Sequence, residues 1–188
     1  MFVDEIKLSV QSGAGGSGSV SFKKTSSKSS PSGGSGGQGG SVIITVNEEL
    51  NDLSHIISNS SLKAENGTDG NKNFQNGKKG KDLIIEVPKG TKIKVDNEVY
   101  ADLHENKSSF IVLEGSKAGR GNYDLISKRV PNPQFCEHGE KRNKIEIKLT
   151  YSIYSDLVIV GLPNAGKSTL ITKLTNSKAQ IADYEFTT

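Results

Sequence analysis

Glycine recurs every three residues in several stretches of this chain, and this spacing constrains the fold more than any other feature. In residues 33–40, GGSGGQGG, two of every three positions are glycine. Three residues per turn is the pitch of the polyproline II helix, in which a glycine on each turn lets a neighbouring backbone approach closely. The same step, with one alanine in a glycine place, separates four further sets: Gly13/Gly16 with Gly15/Gly18, Gly67/Gly70, Gly77/Gly80 and Gly115/Ala118/Gly121.

Two interpretations of these stretches are open. One such stretch alone is typical of a flexible Gly/Ser linker. Five stretches with one period, interleaved with strands, favour a packed bundle of extended segments instead. Ordering glycine is costly in conformational entropy, so hydrogen bonds and packing between the segments would have to offset that cost.

The segments between the glycine stretches predict short β-strands. Ile6, Leu8 and Val10 alternate with polar residues, and so do Ile145, Ile147 and Leu149, which indicates strands with one buried face. Residues 48–57 are the one helix candidate before residue 150. We therefore predict a mainly β domain over residues 1–153. The remaining predicted strands are 42–46, 83–87, 91–95, 99–103 and 110–113.

Composition excludes several classes of protein. The single cysteine, Cys136, excludes a disulfide framework and a thiolate zinc site within the chain, and its neighbour His138 has no second ligand pair nearby. The longest apolar run is about six residues, too short to span a membrane. The N-terminus lacks the cationic start of a signal peptide. These features predict a cytoplasmic protein with no membrane span, and we expect a monomer.

The pattern changes near residue 154, where a second part, 154–188, begins. Residues 156–160, DLVIV, predict a strand buried on both faces. Residues 161–168, GLPNAGKS, then match the spacing G-x-x-x-x-G-K-[ST]. Leu170, Ile171 and Leu174 follow at helical spacing, which predicts a helix over 167–176. The order of strand, glycine-rich loop and helix is that of a phosphate-binding loop.

This loop has a defined chemistry. Its glycines allow the backbone N–H groups to surround a phosphate, aided by the N-terminus of the following helix. Lys167 would reach the β- and γ-phosphates, and the Ser168 hydroxyl would bind Mg²⁺. The sequence alone leaves the base of the nucleotide open, so an ATP-using protein is one alternative.

Over its whole length the chain resembles the Obg family of P-loop GTPases. The resemblance rests on the start MFVDE, the glycine stretches at 13–18 and 33–40, and GLPNAGKST at 161–169. It also rests on KAENG at 63–67, GKDLIIEVPKGT at 80–91, GRGN at 119–122 and IADYEFTT at 181–188. The resemblance implies a β-sandwich base that carries glycine-rich polyproline-II-like helices. The first β-loop-α unit of an α/β P-loop GTPase domain would follow.

The resemblance further implies a protein that binds and hydrolyses GTP, with GDP as product, and acts in maturation of the large ribosomal subunit and in the stress response. Its expected partners are that subunit and its rRNA. Lys167 would be the catalytic residue, Ser168 and Thr188 would bind Mg²⁺, and residues 186–188 would form the end of switch I that senses the γ-phosphate. The expected nucleotide-binding residues are Gly161, Leu162, Pro163, Asn164, Ala165, Gly166, Lys167, Ser168, Thr169, Phe186, Thr187 and Thr188.

Two motifs of a complete GTPase domain, D-x-x-G and N-K-x-D, do not occur in this part of the sequence. We therefore expect that the chain is truncated and that these 188 residues alone do not hydrolyse GTP. The alternative function is a catalytically inactive glycine-rich module that binds the ribosome or a partner protein and keeps a remnant of the P-loop.

Two basic clusters are further candidates. Lys23, Lys24 and Lys28 form one, and Lys78, Lys79 and Lys81 form the other. They are either solvated surface or contacts to rRNA phosphates, which would depend on salt. No aromatic residue interleaves these lysines, so base stacking is not predicted.

Overall fold

The computed structural model describes residues 3–25, 28–95, 98–103, 109–152, 159–162, 165–167, 169, 170 and 173. The chain divides into two compact units, 1–152 and 153–188. The described strands all lie in the first unit, which therefore carries the β architecture. No helix among the described residues has the length and apolar character needed to cross a membrane.

The strands of the first unit form three sheets. A five-stranded sheet has the order β5-β1-β10-β7-β8, a three-stranded sheet has the order β6-β4-β9, and β2 and β3 form a separate hairpin. The bounds are β1 Glu5–Gln11, β2 Phe22–Thr25, β3 Lys28–Pro31, β4 Val42–Val46, β5 Ser61–Lys63, β6 Leu83–Val87, β7 Thr91–Val95, β8 Glu98–Leu103, β9 Ser109–Leu113 and β10 Ile145–Tyr151.

The two larger sheets share one apolar core. In β1 every second side chain, from Ile6 to Val10, is buried, and β4 alternates in the same way from Val42 to Val46. β1 pairs antiparallel with β10 so that Ile6 lies opposite Leu149. Because successive strand side chains point to opposite faces, this register places all the apolar ones inward. The prediction of a mainly β N-terminal domain is confirmed.

The predicted helix over 48–57 is wrong. This segment consists of turns and bends, and its one fully buried side chain is Leu53. The Asn47 side chain accepts a hydrogen bond from the Glu49 N–H, and the Asp52 side chain accepts one from the Ser54 N–H. Such local bonds from side chain to backbone compete with the hydrogen bonds of a helix. The segment therefore anchors one leucine in the core without continuing as a helix.

The glycine stretches are extended segments arranged in three pairs. In each pair, which we call an excursion, one segment leads away from the two larger sheets and the other returns to them. Segments I (12–19) and II (32–41) flank the β2–β3 hairpin, which closes the first excursion. Segments III (64–71) and IV (75–82) form the second, and segments V (114–121) and VI (136–141) form the third. At about 3.1 Å per residue, an eight-residue segment of this kind is about 25 Å long. The hairpin thus lies at the far end of the bundle, which we call the hairpin end.

Hydrogen bonds join these segments once every three residues. Between segments I and II, the N–H groups of Gly13, Gly16 and Ser19 donate to the carbonyls of residues 40, 37 and 34. Bonds with the same period join segments II and III, segments III and IV, and segments I and V. The bundle interpretation is therefore confirmed over the linker interpretation, and segments I and II lie at its centre, each bonded to four others.

Close approach of backbones, not backbone conformation, requires these glycines. A Cβ placed on Gly16 would lie 2.0 Å from the carbonyl oxygen of Thr68, and one on Gly37 would lie 2.0 Å from that of Lys78. Among the glycines of the described residues, only Gly90 and Gly166 have a positive φ, and neither belongs to a segment of the bundle. An alanine could adopt the backbone conformation but would collide with the neighbouring chain.

Segments V and VI are held together by an ion pair in addition to their backbone bonds. The Arg120 guanidinium donates to both carboxylate oxygens of Glu137, with Nε–Oε2 at 2.9 Å and Nη2–Oε1 at 2.6 Å. The Arg120 N–H also donates to Glu137 Oε2 at 3.2 Å. These bonds lower the pKa of Glu137 from its ordinary value of 4.5 to about 2.

The depressed pKa of Glu137 predicts a loss of stability in acid. A group whose pKa is lower in the folded than in the unfolded state stabilises the fold above the unfolded value and ceases to do so as pH falls through the folded one. The contribution of Glu137 should therefore disappear between about pH 4.5 and pH 2. We expect Glu137→Gln to flatten the pH dependence of the unfolding free energy in that range, measured by urea denaturation.

Glu140→Gln is the matched control for this experiment. Glu140 belongs to the same segment, is exposed, and makes no ion pair within the described residues. The substitution Glu140→Gln should leave the acid limb of the profile, the fall of the unfolding free energy below about pH 4.5, unchanged. Equal acid limbs for Glu137→Gln and the unsubstituted protein would contradict the assignment.

Candidate functional site

The first candidate site is the loop that begins at Gly161, in the second unit. Gly166 has φ +77°, a left-handed conformation that favours glycine. The Leu170 N–H then donates to the Gly166 carbonyl at 2.9 Å, and residues 167, 169, 170 and 173 are helical. The described part of the loop thus turns sharply at Gly166 and enters a helix at Lys167, as the sequence predicts.

The Lys167 side chain crosses back over this loop. Its Nζ donates to the Gly161 carbonyl at 2.9 Å and to the Leu162 carbonyl at 2.7 Å. An ammonium group has three N–H donors and no acceptor, so one donor remains beyond these two bonds to described residues. The arrangement brings a positive charge to the residues that begin the loop, which suits an anionic ligand.

The expected nucleotide residues fall into two groups. Pro163, Asn164, Ser168, Phe186, Thr187 and Thr188 lie outside the described residues, and with them lie both expected Mg²⁺ ligands. The structure brings together Gly161, Leu162, Ala165, Gly166, Lys167 and Thr169, all within one loop and the start of its helix.

The prediction of a strand buried on both faces is wrong where the structure describes it. Residues 156–158 lie outside the described residues; Ile159 and Val160 are not in a strand, and the Val160 side chain is 89% exposed. A parallel strand is buried when further strands and helices cover it. The described residues of this second unit include no strand, so nothing among them covers Val160.

The second candidate site is the hairpin end of the bundle. Lys23 and Lys24 are exposed on β2, next to the exposed Phe22. The N–H groups of Phe74 and Tyr123 donate to the carbonyls of residues 32 and 33, which immediately follow β3. The two rings are half exposed and meet edge to face, 4.9 Å between centroids.

These aromatic residues were missed in the sequence because they are distant from the lysines along the chain. Asn122, fully buried, joins the parts: its Oδ1 accepts from the Gly33 N–H, and its Nδ2 donates to the carbonyls of Ser21 and Pro133. No aromatic residue lies between these lysines in the sequence, and the absence of base stacking inferred from that stays a prediction. The exposed Phe22 precedes Lys23 on β2, and lysines together with exposed rings suit a nucleic acid, which offers phosphates and base faces.

Metal-ligating side chains do not converge in the described part of the chain. No group of three or more His, Cys, Asp or Glu residues lies close enough there to hold an ion. Cys136 is half-buried and His138 is exposed.

A glycine-rich bundle on a β core, followed by a loop of the G-x-x-x-x-G-K-S type, defines a P-loop protein with an N-terminal glycine-rich domain. The GTP1/OBG family model matches residues 3–153. The model of the family described as 50S ribosome-binding GTPase matches residues 156–188. The chain belongs to the GTP1/OBG family.

Curated relatives match the chain along its entire length. The GTPase Obg of Nautilia profundicola is 44% identical over 192 residues, covering 100% of this chain and 54% of the relative. The GTPase Obg of Finegoldia magna is 42% identical over 193 residues, covering 100% and 46%. That of Mycoplasmopsis synoviae is 38% identical over 189 residues, covering 100% and 45%. The chain thus spans about half the length of these relatives.

Proposed function

We propose that this protein is a GTP-binding and GTP-hydrolysing switch that acts on the large ribosomal subunit, in its maturation and in the stress response. The observation that carries the proposal is the position of Lys167, held over the start of a loop with P-loop spacing. The relatives named GTPase Obg support guanine as the base. The protein would act as a monomer in the cytoplasm.

The proposed roles follow the motif. Residues 161–169 would surround the phosphates with backbone N–H groups, and Lys167 would neutralise charge that develops at the β- and γ-phosphates. Residues 186–188 would order when the γ-phosphate is present. Division into two compact units suits such a protein, because the unit that binds the nucleotide is separate from the bundle.

A magnesium ion would be held by the hydroxyl groups of Ser168 and Thr188. Hydroxyl and phosphate oxygens are hard ligands of the kind that Mg²⁺ prefers, so this donor set fits the ion. When bound, Mg²⁺ neutralises phosphate charge during phosphoryl transfer. The Lys167 ammonium would add to that neutralisation from the side of the loop.

The hairpin end would contact rRNA. Lys23 and Lys24 would meet phosphates, and the half-exposed rings of Phe74 and Tyr123 would meet bases. The bundle is about 25 Å long, so this end could enter a crevice in the ribosome while the two larger sheets stay outside. The name of the second family model, 50S ribosome-binding GTPase, supports the same partner.

A sedimentation experiment tests the proposal. The full-length product of the native gene is mixed with large ribosomal subunits in the presence of a non-hydrolysable GTP analogue or of GDP. We expect at least about a tenfold difference in affinity, which corresponds to about 1.4 kcal/mol of coupling between the two sites. Lys23→Glu with Lys24→Glu should weaken binding at low salt in both nucleotide states. Equal affinity with both nucleotides would contradict the switch.

A second candidate is a glycine-rich docking module without nucleotide chemistry. The observation that favours it is the exposure of Val160 (89%) and Leu162 (79%) beside the loop, whereas the bundle is tightly packed. Such a module would bind the subunit equally well with GTP, with GDP or with neither. The same sedimentation experiment therefore separates the two candidates.

A further inference from the structure

Segment II presents a row of backbone N–H groups, at Ser35, Gln38 and Ser41, toward the side chains of segment IV. The N–H groups of Ser35 and Ser41 have hydrogen-bond acceptors in segment IV. The Ser35 N–H donates to Asn76 Oδ1 at 2.9 Å, and the Ser41 N–H donates to Asp82 Oδ1 at 2.6 Å. Because the bundle repeats every three residues, the N–H of Gln38 has the same direction and residue 79 has the place of its acceptor.

The same row meets segment V from its other side. The Gly121 N–H donates to Ser35 Oγ at 2.9 Å, and the Gly115 N–H donates to Ser41 Oγ at 3.1 Å. The repeat therefore places the N–H of Ala118 opposite the side chain of residue 38. We call these three levels the rungs at 35, 38 and 41.

At the rung at 38 neither acceptor is in place. Residue 79 is a lysine, which has no acceptor atom. Residue 38 is a glutamine, whose Nε2 is directed at the Gly115 carbonyl, 3.4 Å away, and whose Oε1 accepts no bond from the Ala118 N–H. Within the described residues, neither the Gln38 N–H nor the Ala118 N–H has a hydrogen-bond acceptor. Gln38 is exposed and Ala118 is partly exposed, so a ligand could reach both groups.

Charge at this rung is positive on balance. Lys78, Lys79 and Lys81 all belong to segment IV, and the Lys79 side chain is 54% exposed. Segments III and IV contribute two acids whose carboxylates are already bonded. Asp82 accepts from the Ser41 N–H and forms an exposed ion pair with Lys79 (Nζ–Oδ2 3.3 Å), and Glu65 Oε2 accepts from the Lys81 N–H at 3.0 Å.

We propose that the rung at 38 binds a phosphate group. Two of its oxygens would accept from the N–H groups of Gln38 and Ala118, and the Lys79 ammonium would balance its charge. Adjacent backbone N–H groups that point to one place form anion sites of this kind, and an ionised acceptor strengthens each bond. At the neighbouring rungs, Asn76 or Asp82 supplies one acceptor and a serine hydroxyl supplies the other. The phosphate would supply both acceptors at the rung at 38.

The source of this phosphate is the backbone of RNA. Lys78 and Lys81 extend the positive charge along segment IV by about 9 Å, which suits a chain of phosphates better than one small anion. The choice of RNA rests on the proposed function, in which rRNA is the partner. The phosphate site itself depends only on the bundle.

Amide chemical shifts of the ¹⁵N-labelled 188-residue chain test the proposal directly. One titration uses inorganic phosphate and the other uses a single-stranded oligomer of eight uridines. We expect the amide signals of Gln38 and Ala118 to move in both titrations. The amides of Ser35, Ser41, Gly115 and Gly121 have protein acceptors already, and they serve as internal references.

Two variants separate the rung from general charge. The double variant Gln38→Ser with Lys79→Asn gives this rung the same acceptors as the neighbouring rungs. The amide signals at positions 38 and 118 should therefore no longer shift with phosphate. RNA binding at low salt should weaken about threefold to tenfold, with a salt slope smaller by about one. Lys79→Met removes the charge but leaves the rung open, so both amides should still respond, at higher phosphate concentration.

Each of the remaining outcomes would contradict one step of the proposal. Silence of the two amides with phosphate would overturn the site. A response to phosphate but not to the RNA would assign the rung to a small free anion and overturn the RNA proposal. Unchanged RNA binding by the double variant would do the same. Because no GTP or ribosome is used, these results are independent of the sedimentation experiment.

Discussion

Gly37→Ala is expected to destabilise the glycine-rich bundle strongly. The added methyl group would lie 2.0 Å from the carbonyl oxygen of Lys78 and 2.4 Å from its carbonyl carbon. Both are backbone atoms, so no side-chain rotation can relieve the collision. Residue 37 also donates to Thr68 and accepts from Gly16, so the bonds to two further segments would move with it.

The expected loss of stability for Gly37→Ala is about 3 kcal/mol or more, at the upper end of overpacking substitutions because backbone must shift. For a domain of this size, that lowers Tm by about 10 °C. Thermal unfolding followed by circular dichroism measures the change. The result also bears on the interior as a whole, since Gly16, Gly34 and Gly36 face carbonyl oxygens at 2.0–2.1 Å in the same way.

Gln38→Ala is the matched control for this substitution. It leaves a methyl group on the next residue of segment II, where the Cβ of Gln38 is already accommodated and the side chain is exposed. The bundle already accepts a Cβ at Ala118, which occupies a glycine place of the repeat on segment V. We expect a Tm within about 2 °C of the unsubstituted protein, consistent with a surface substitution. A similar small change for Gly37→Ala would contradict the packing described above.

The period of the glycines made five of the six extended segments predictable, and the exception shows the limit of that signal. Segment VI has a single glycine, Gly139, so it shows no repeat. A Cβ on Gly139 would lie 1.9 Å from the Gly15 carbonyl oxygen, whereas its neighbours His138 and Glu140 are exposed. The segment is held by bonds to segments I and V, which only the assembled bundle provides.

The strands likewise divide into those that a sequence pattern predicts and those that it does not. Those with alternating apolar residues could be predicted, because burial of one face leaves a period of two in the sequence. β2, β3 and β5 could not, since FKKT, KSSP and SLK have little apolar surface to bury. Contacts fix them instead: β5 pairs parallel with β1, and β2 pairs with β3 across the hairpin.

The P-loop and the rung at 38 also differ in how far the sequence alone predicts their residues. The P-loop is local, so spacing alone identified Gly161, Gly166 and Lys167, and the turn at Gly166 follows from its glycine. The rung at 38 joins residues from three segments that are far apart in the chain. Its two open N–H groups depend on the register between segments, which no local pattern encodes.

Lys167→Ala should largely abolish binding of GTP in the full-length protein. Lys167 is the described side chain that places a charge over the loop, and an ion-assisted hydrogen bond contributes about 1.5–3 kcal/mol. Loss of its bonds to the phosphates should weaken binding by about 10- to 100-fold or more. A fluorescent GTP analogue, titrated in the presence of Mg²⁺, measures the affinity.

The matched control is Lys173→Ala, which removes an exposed, helical lysine six residues after Lys167. It changes the net charge equally but lies almost two turns beyond the loop, so it should bind GTP within about twofold of the unsubstituted protein. Lys167 belongs to the second compact unit, so its loss should also leave the Tm of the bundle unchanged. Retained GTP affinity in Lys167→Ala would remove the central support for the proposed function, because the charge over the loop would then have no ligand to neutralise.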